Sequence, residues 1–220
     1  MPREDNVQLP SVFHELAAAR SMGPQIRAMQ TSSRLQAARN KVLAIGIFGQ
    51  GAVVGFRTDQ QPFHFRYDEV TEFNQFVVRK HYNSIYRGTD ITCWFKLSDG
   101  RGYRVGGETT LKVRHIVDDL RQFVDPRIAT AQLPRMQAAL RQGHSIDFRG
   151  YVMEPGGLHL PARFGKGKRL MWAEIQQARL KAGAVQVMAR GKRWPWASVG
   201  VHRVPNLTAF MTLVHAATSN

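Results

Sequence analysis

One short pattern occurs twice. Residues 65–70 read Phe-Arg-Tyr-Asp-Glu-Val, and residues 170–175 read Leu-Met-Trp-Ala-Glu-Ile. In each, an aromatic is followed two positions later by a glutamate and then by a β-branched aliphatic: Tyr67, Glu69, Val70 and Trp172, Glu174, Ile175. Upstream, residues 51–57 align with 157–163 in the same apolar phase, Ala52 with Leu158, Val54 with Leu160 and Phe56 with Ala162. Two matches in the same order predict two copies of one small domain. The 220 residues are enough for two domains of about 100 each.

Periodicity fills in the elements. Residues 11–38 read as helical, with Ser11 as N-cap, Val12, Leu16 and Ala19 on one face, a break at Gly23-Pro24, and a looser stripe of Ile26, Met29, Leu35 and Ala38 beyond it. From residue 42 the apolar period becomes two, as in Ile91, Cys93, Phe95 and Leu97. Ser98-Asp99-Gly100 marks a hairpin turn. Thr109 or Thr110 then caps a predicted helix with the stripe Ile116, Leu120, Phe123 and Val124, ended by Pro126. Residues 127–143 read as a linker with a short helix closed by Gly143. Strands resume, with Leu158 and Leu160, then Val185, Val187 and Ala189, facing inward. Pro205 opens a last helix with Leu207, Phe210, Met211 and Val214 on its buried face.

These stretches together, "GAVVGFR", "FRYDEV", "NSIYRGTD", "LSDG", "LPRMQAALRQGHSIDF", "LMWAEI", "GAVQVMARGKRW" and "VPNLTAFMTLV", resemble a bacterial family of uncharacterised proteins with tandem pleckstrin-homology-like (PH-like) domains. The resemblance covers roughly residues 10–217, with Tyr67 where a Trp and Ser84 where a Gly is expected. It implies a β-rich α+β fold: two tandem PH-like half-barrels, each closed by a C-terminal helix, plus an N-terminal helical arm. The corresponding boundaries are 1–40 for the arm, 41–126 for the first domain, 127–143 for the helical linker and 144–220 for the second domain. The resemblance implies a fold and no catalytic residues.

Composition narrows the function classes. The chain is 43% apolar with 12 Phe and 4 Trp, so it can bury a core. A single cysteine, Cys93, excludes an internal disulfide and fits a reducing, cytoplasmic setting. The first ten residues carry acids and no apolar core, unlike a signal peptide. No apolar run is long enough to span a bilayer. Charge is the loudest signal: 31 Lys and Arg against 16 Asp and Glu, a net +15, with ten of the cations and one acid, Glu174, after residue 154. Such an excess favours anionic partners.

Enzymatic constellations are sparse. The eight histidines form no i,i+4 pair with a carboxylate, Cys93 alternates with core residues, and neither "FGKGKR" nor "GIFGQGAVVG" has the spacing and following helix of a phosphate or dinucleotide loop. No catalytic residue, metal or cofactor is expected. The repeated aromatic and glutamate read as a packing anchor with an attached carboxylate. The basic turns carry more: Arg163, Lys166, Lys168 and Arg169 in one, Arg190, Lys192 and Arg193 in another, with Trp194 and Trp196 beside them on a predicted edge strand as stacking candidates. The expected function is a non-enzymatic binding or scaffold module docking its basic second domain on an anionic surface, either lipid headgroups at the inner membrane face or an acidic protein. The alternative is nucleic-acid binding through the same face, and an enzyme stands third.

Overall fold

The computed structural model describes residues 7–31, 42–56, 61–109, 116–162 and 167–219. The chain divides into two compact units, Met1–Ile128 and Ala129–Asn220. Its architecture is β-rich, with three α-helices and four antiparallel sheets among the described residues.

In the first unit, helix α1 (Ser11–Ala19) precedes strands β1 (Gln25–Gln30), β2 (Val42–Phe48), β3 (Gly51–Phe56) and β4 (Phe63–Arg66), which pair in sequence order. A 3-10 turn, Tyr67–Glu69, then redirects the chain into β5 (Val70–Tyr82), β6 (Ile85–Leu97) and β7 (Gly102–Thr109), again paired in order. Ile91, Cys93, Phe95 and Leu97 are buried, as their alternation predicts. Phe95 packs against Phe65 and Phe73, with ring centroids 4.8 and 4.9 Å apart. Helix α2 (Ile116–Arg141) adds Leu120 and Val124 to the buried set.

The second unit repeats the order. It has β8 (Ile146–Asp147), β9 (Val152–Glu154), β10 (Gly157–Leu160) and β11 (Lys168–Met171) in one sheet. A 3-10 turn at Trp172–Glu174 follows, then β12 (Ile175–Lys181), β13 (Ala184–Ala189) and β14 (Ala197–Gly200) in another sheet, and helix α3 (Leu207–Thr218). Its core includes Tyr151, Met153, Leu158, Val185, Val187 and Phe210, together with Ala129 and Met136 from the second half of α2.

The repeated motif is the corner between the two sheets of each unit, and the same bonds hold both corners. The Tyr67 N–H donates to Gln50 O (2.9 Å), and the Trp172 N–H to Gly156 O (3.1 Å). The Arg66 N–H donates to Glu69 Oε2 (3.0 Å), and the Met171 N–H to Glu174 Oε2 (2.9 Å). The Tyr67 hydroxyl reaches Phe48 O (3.0 Å) and the Trp172 indole reaches Pro155 O (2.9 Å). Gly51 and Gly157 are equivalent as well: a Cβ there would lie 2.4 Å from Phe65 O and 2.2 Å from Leu170 O, so only glycine fits. Tyr67 is buried whereas Trp172 is only half-buried, so the packing-anchor reading fits the first ring more fully than the second.

Several expectations are corrected. Residues 25–30 form strand β1, paired with β2, rather than a helix, and residues 32–41 lie outside the described set. Its Gln25, Arg27 and Gln30 hide the strand period, because this strand lies at the end of its sheet. Helix α1 starts without a side-chain cap from Ser11, and its buried face is Phe13 and Ala17 rather than Val12 and Ala19. Phe13 reaches the sheet because Gly46 and Gly55 lack side chains: a Cβ on either would lie within 3.3 Å of its ring.

Pro126 does not end its helix, and the linker helix is the second half of α2. Proline removes one helical bond and crowds the preceding turn. Here that turn is held from outside: Gln75 donates to Asp125 Oδ2 (3.1 Å), the Arg121 guanidinium to Gln75 Oε1 (2.9 Å), and the Arg127 guanidinium to Phe123 O (2.8 Å). The helix start predicted near residue 110 lies outside the described residues. The last helix begins at Leu207, after an Asn206 in the left-handed region, rather than at Pro205.

A candidate anion-binding cleft in the second unit

The corner at Trp172–Glu174 and the loop between β13 and β14 stand side by side. Ile175 pairs with Ala189 across the sheet, and the Arg190 N–H donates to Glu174 O (2.7 Å). The loop, residues 190–196, folds back through Gly191, whose φ of 67° places it in the left-handed region, and the Lys192 N–H closes onto Ala189 O (3.2 Å). It rejoins the sheet where the Trp196 N–H meets Val187 O (2.9 Å).

Between these elements lies a cleft of about 580 Å³. Leu170, Ala173 and Ala189 contribute its apolar lining, Lys168, Arg190, Lys192 and Arg193 its cations, and Trp194, Pro195 and Trp196 its remaining wall. Glu174 is the one acid lining it, with one carboxylate oxygen held by the Met171 N–H. The four cations are exposed and Trp194 is 80% exposed, so a ligand would meet charge and an aromatic face together.

The sequence-predicted residues therefore divide. Lys168, Arg190, Lys192 and Arg193 converge on the cleft. Arg169 alternates to the other side of β11 and pairs with Glu154 (3.3 Å). Arg163 and Lys166 lie outside the described residues. Trp194 and Trp196 sit in the loop rather than on an edge strand, because Ala197 is where pairing with β13 begins. Trp196 packs against the core while Trp194 does not. Sequence reasoning missed Glu174, Leu170 and Ala173 as lining residues, although the repeated motif had already marked the corner that carries them.

The first unit is built differently at the corresponding place. Ser98 N–H donates to Glu69 O (2.8 Å), as Arg190 does to Glu174, so residues 98–101 occupy the place of the 190–196 loop. That shorter turn neutralises itself, with the Arg101 guanidinium on Asp99 Oδ2 (2.6 Å). Glu69 is bound by Arg20, just past the end of α1. The strand registers equate Phe63 with Lys168 and Tyr103 with Ala197. In the first unit Phe63 and Tyr103 stack with centroids 3.6 Å apart; in the second a cation and a methyl group take their places.

The profile of one protein family matches residues 29–220. The chain belongs to this family, DUF6585, a family of unknown function. The DUF6585 match begins within β1, runs through both corners and includes every residue of the cleft. No curated protein matches the chain.

Among the described residues no group of three or more His, Cys, Asp or Glu side chains could hold a metal ion, and no helix is long and apolar enough to cross a membrane.

Proposed function

We propose that this DUF6585 chain is a non-enzymatic binding module of two tandem PH-like half-barrels, whose second copy docks on phosphate-bearing lipid headgroups of an anionic membrane face. The PH-like assignment draws on the order found in each unit: a four-strand meander, a corner, a three-strand meander and a helix. The observation that carries the functional reading is the divergence of the two copies at one place. Where the first has a four-residue, self-neutralised turn and a stacked ring pair, the second has a seven-residue loop, four converging cations and an open cleft.

Chemistry favours phosphate. Lys and Arg on a turn donate several charge-assisted hydrogen bonds without a rigid cage. The apolar lining from Leu170 and Ala189 lowers local hydration, which strengthens such bonds. The non-enzymatic part rests on how the candidate nucleophile and bases are used: Cys93 is fully buried, and Glu69 and Glu174 each accept a backbone N–H at their own corner.

Nucleic acid is the second reading, favoured by Trp194, which exposes 80% of its surface beside three cations. Stacking on such a ring contributes about 1–3 kcal/mol per base. The test is the variant Lys168→Gln, Arg190→Gln, Lys192→Gln, Arg193→Gln, measured on anionic vesicles and on single- and double-stranded DNA. At about 1 kcal/mol per cation near an anionic bilayer, vesicle affinity at low salt should fall by about three decades with the fold unchanged. Unchanged vesicle affinity removes the cleft as the docking site. Loss on DNA alone, deepened by Trp194→Ala, selects the second reading.

A further inference from the structure

We propose that the β5–β6 hairpin of the first unit inserts its tip into the interface of an anionic lipid bilayer. Its two strands pair from Val70 and Leu97 out to Tyr82 and Ile85, and among the described residues β7 pairs with β6 as far as Thr89, opposite Thr109. Beyond that point β5 and β6 continue, among the described residues, as a two-stranded ribbon turning at Asn83 and Ser84, both in the left-handed region at φ 47° and 63°. Such a ribbon has little stability of its own, and protein edges ordinarily protect it with charge. Here the tip instead presents Tyr82 and Ile85, 65% and 58% exposed and opposite each other on one face. Val77 and Val78, also exposed, add apolar surface on opposite faces of β5 nearer the body.

Charge selects the occupant. Residues 77–88 contain Arg79, Lys80 and Arg87 and no carboxylate. Lys80 is neutralised at the base of the ribbon by Asp90 (2.8 Å) and Glu108 (3.3 Å), whereas Arg79 and Arg87 are exposed. The Arg87 guanidinium lies 5.9 Å from the Tyr82 ring centroid, so a cation stands beside the apex ring. Arg79 is three residues behind Tyr82, about 10 Å along a strand. That spacing matches a bilayer, where an apolar tip enters about 5–10 Å and the phosphates lie above it. A tyrosine with a polar tip belongs at this level.

The inference uses residues of the first unit alone and does not depend on which polyanion the cleft takes. Because Cys93 is buried, an Ile85→Cys variant of the full chain offers a selectively reactive thiol for an environment-sensitive fluorophore. With phosphatidylcholine vesicles containing phosphatidylserine, the label should shift to the blue and be quenched by lipids brominated in their acyl chains. With phosphatidylcholine alone it should do neither. The unlabelled Tyr82→Ser, Ile85→Ser variant should sediment with phosphatidylserine vesicles about tenfold more weakly, and Arg79→Gln, Arg87→Gln about thirtyfold more weakly at low salt, each with an unchanged melting temperature. A labelled chain that co-sediments with the vesicles while its spectrum stays that of water overturns the proposal, as does undiminished binding by the Ser variant. Should the quadruple cleft variant alone abolish sedimentation while the label stays silent, headgroup docking by the cleft stands and insertion of the hairpin falls.

Discussion

Cys93 shows what position does to a reactive group. Burial pushes its thiol from an ordinary 9.0 up to about 12, against a smaller opposing effect of Arg121. Burial likewise raises the hydroxyls of Tyr67 and Tyr151 above their ordinary 10.0. All three groups are neutral in the folded chain at pH values where they ionise in the unfolded one. Above pH 9 the unfolded chain therefore binds fewer protons, and stability falls as pH rises toward 12. Urea midpoints should be flat below pH 9 and decline above it, and Cys93→Ala should delay the onset to the tyrosine range, near pH 10. Native Cys93 should resist iodoacetamide at neutral pH until the chain is unfolded. Rapid labelling of the folded protein would contradict the burial.

At the scale of elements, legibility followed burial on one face. β6 buries alternate side chains and β13 buries Val185, Val187 and Ala189 on one face, with Met188 also buried, so period two exposed them, and the corner declared itself twice through Tyr67, Glu69, Trp172 and Glu174. β1 was not legible, since its partners and not its own Gln and Arg residues make it a strand. Nor was α2, whose signal is split by prolines and whose buried residues belong to two different cores. Of the cleft, the cations were legible from charge clustering, but Lys168 and Arg169 differ in fate only through the alternation of β11, which sequence reasoning left unused. Pro126 is the element-scale test. Its neighbours hold the helix by Gln75, Arg121 and Arg127 bonds that do not involve the ring. Pro126→Ala should restore a helical N–H and raise stability by about 1–3 kcal/mol, read from the urea midpoint. A loss would show that the ring itself fits a kink the helix needs.

For the molecule as a whole, two copies of one frame differ most at their corners. The first carries α1, whose Phe13 is seated over Gly46 and Gly55 and whose following Arg20 binds the corner carboxylate. The second leaves the corresponding corner open and surrounds it with cations. The net +15 is thus not spread as solubilising charge alone. Ten cations and one acid follow residue 154, and four of those cations share one cleft.

The uninterrupted course of α2 also fixes where this chain can be cut. Sequence puts the boundary at Pro126 and the second half at residue 144, after Gly143 closes the helix. Ala129 and Met136 nevertheless belong to the core of the second unit, so a fragment that starts at residue 144 lacks two of its own buried side chains. A gene fragment encoding 129–220 should yield a folded, soluble product, while one encoding 144–220 should give exposed apolar surface and aggregation, distinguished by amide dispersion in a proton–nitrogen spectrum. Anyone dissecting the two copies must therefore cut within a helix, because the boundary between the units falls inside Ile116–Arg141 and not in a loop that a protease or a cloning primer could use.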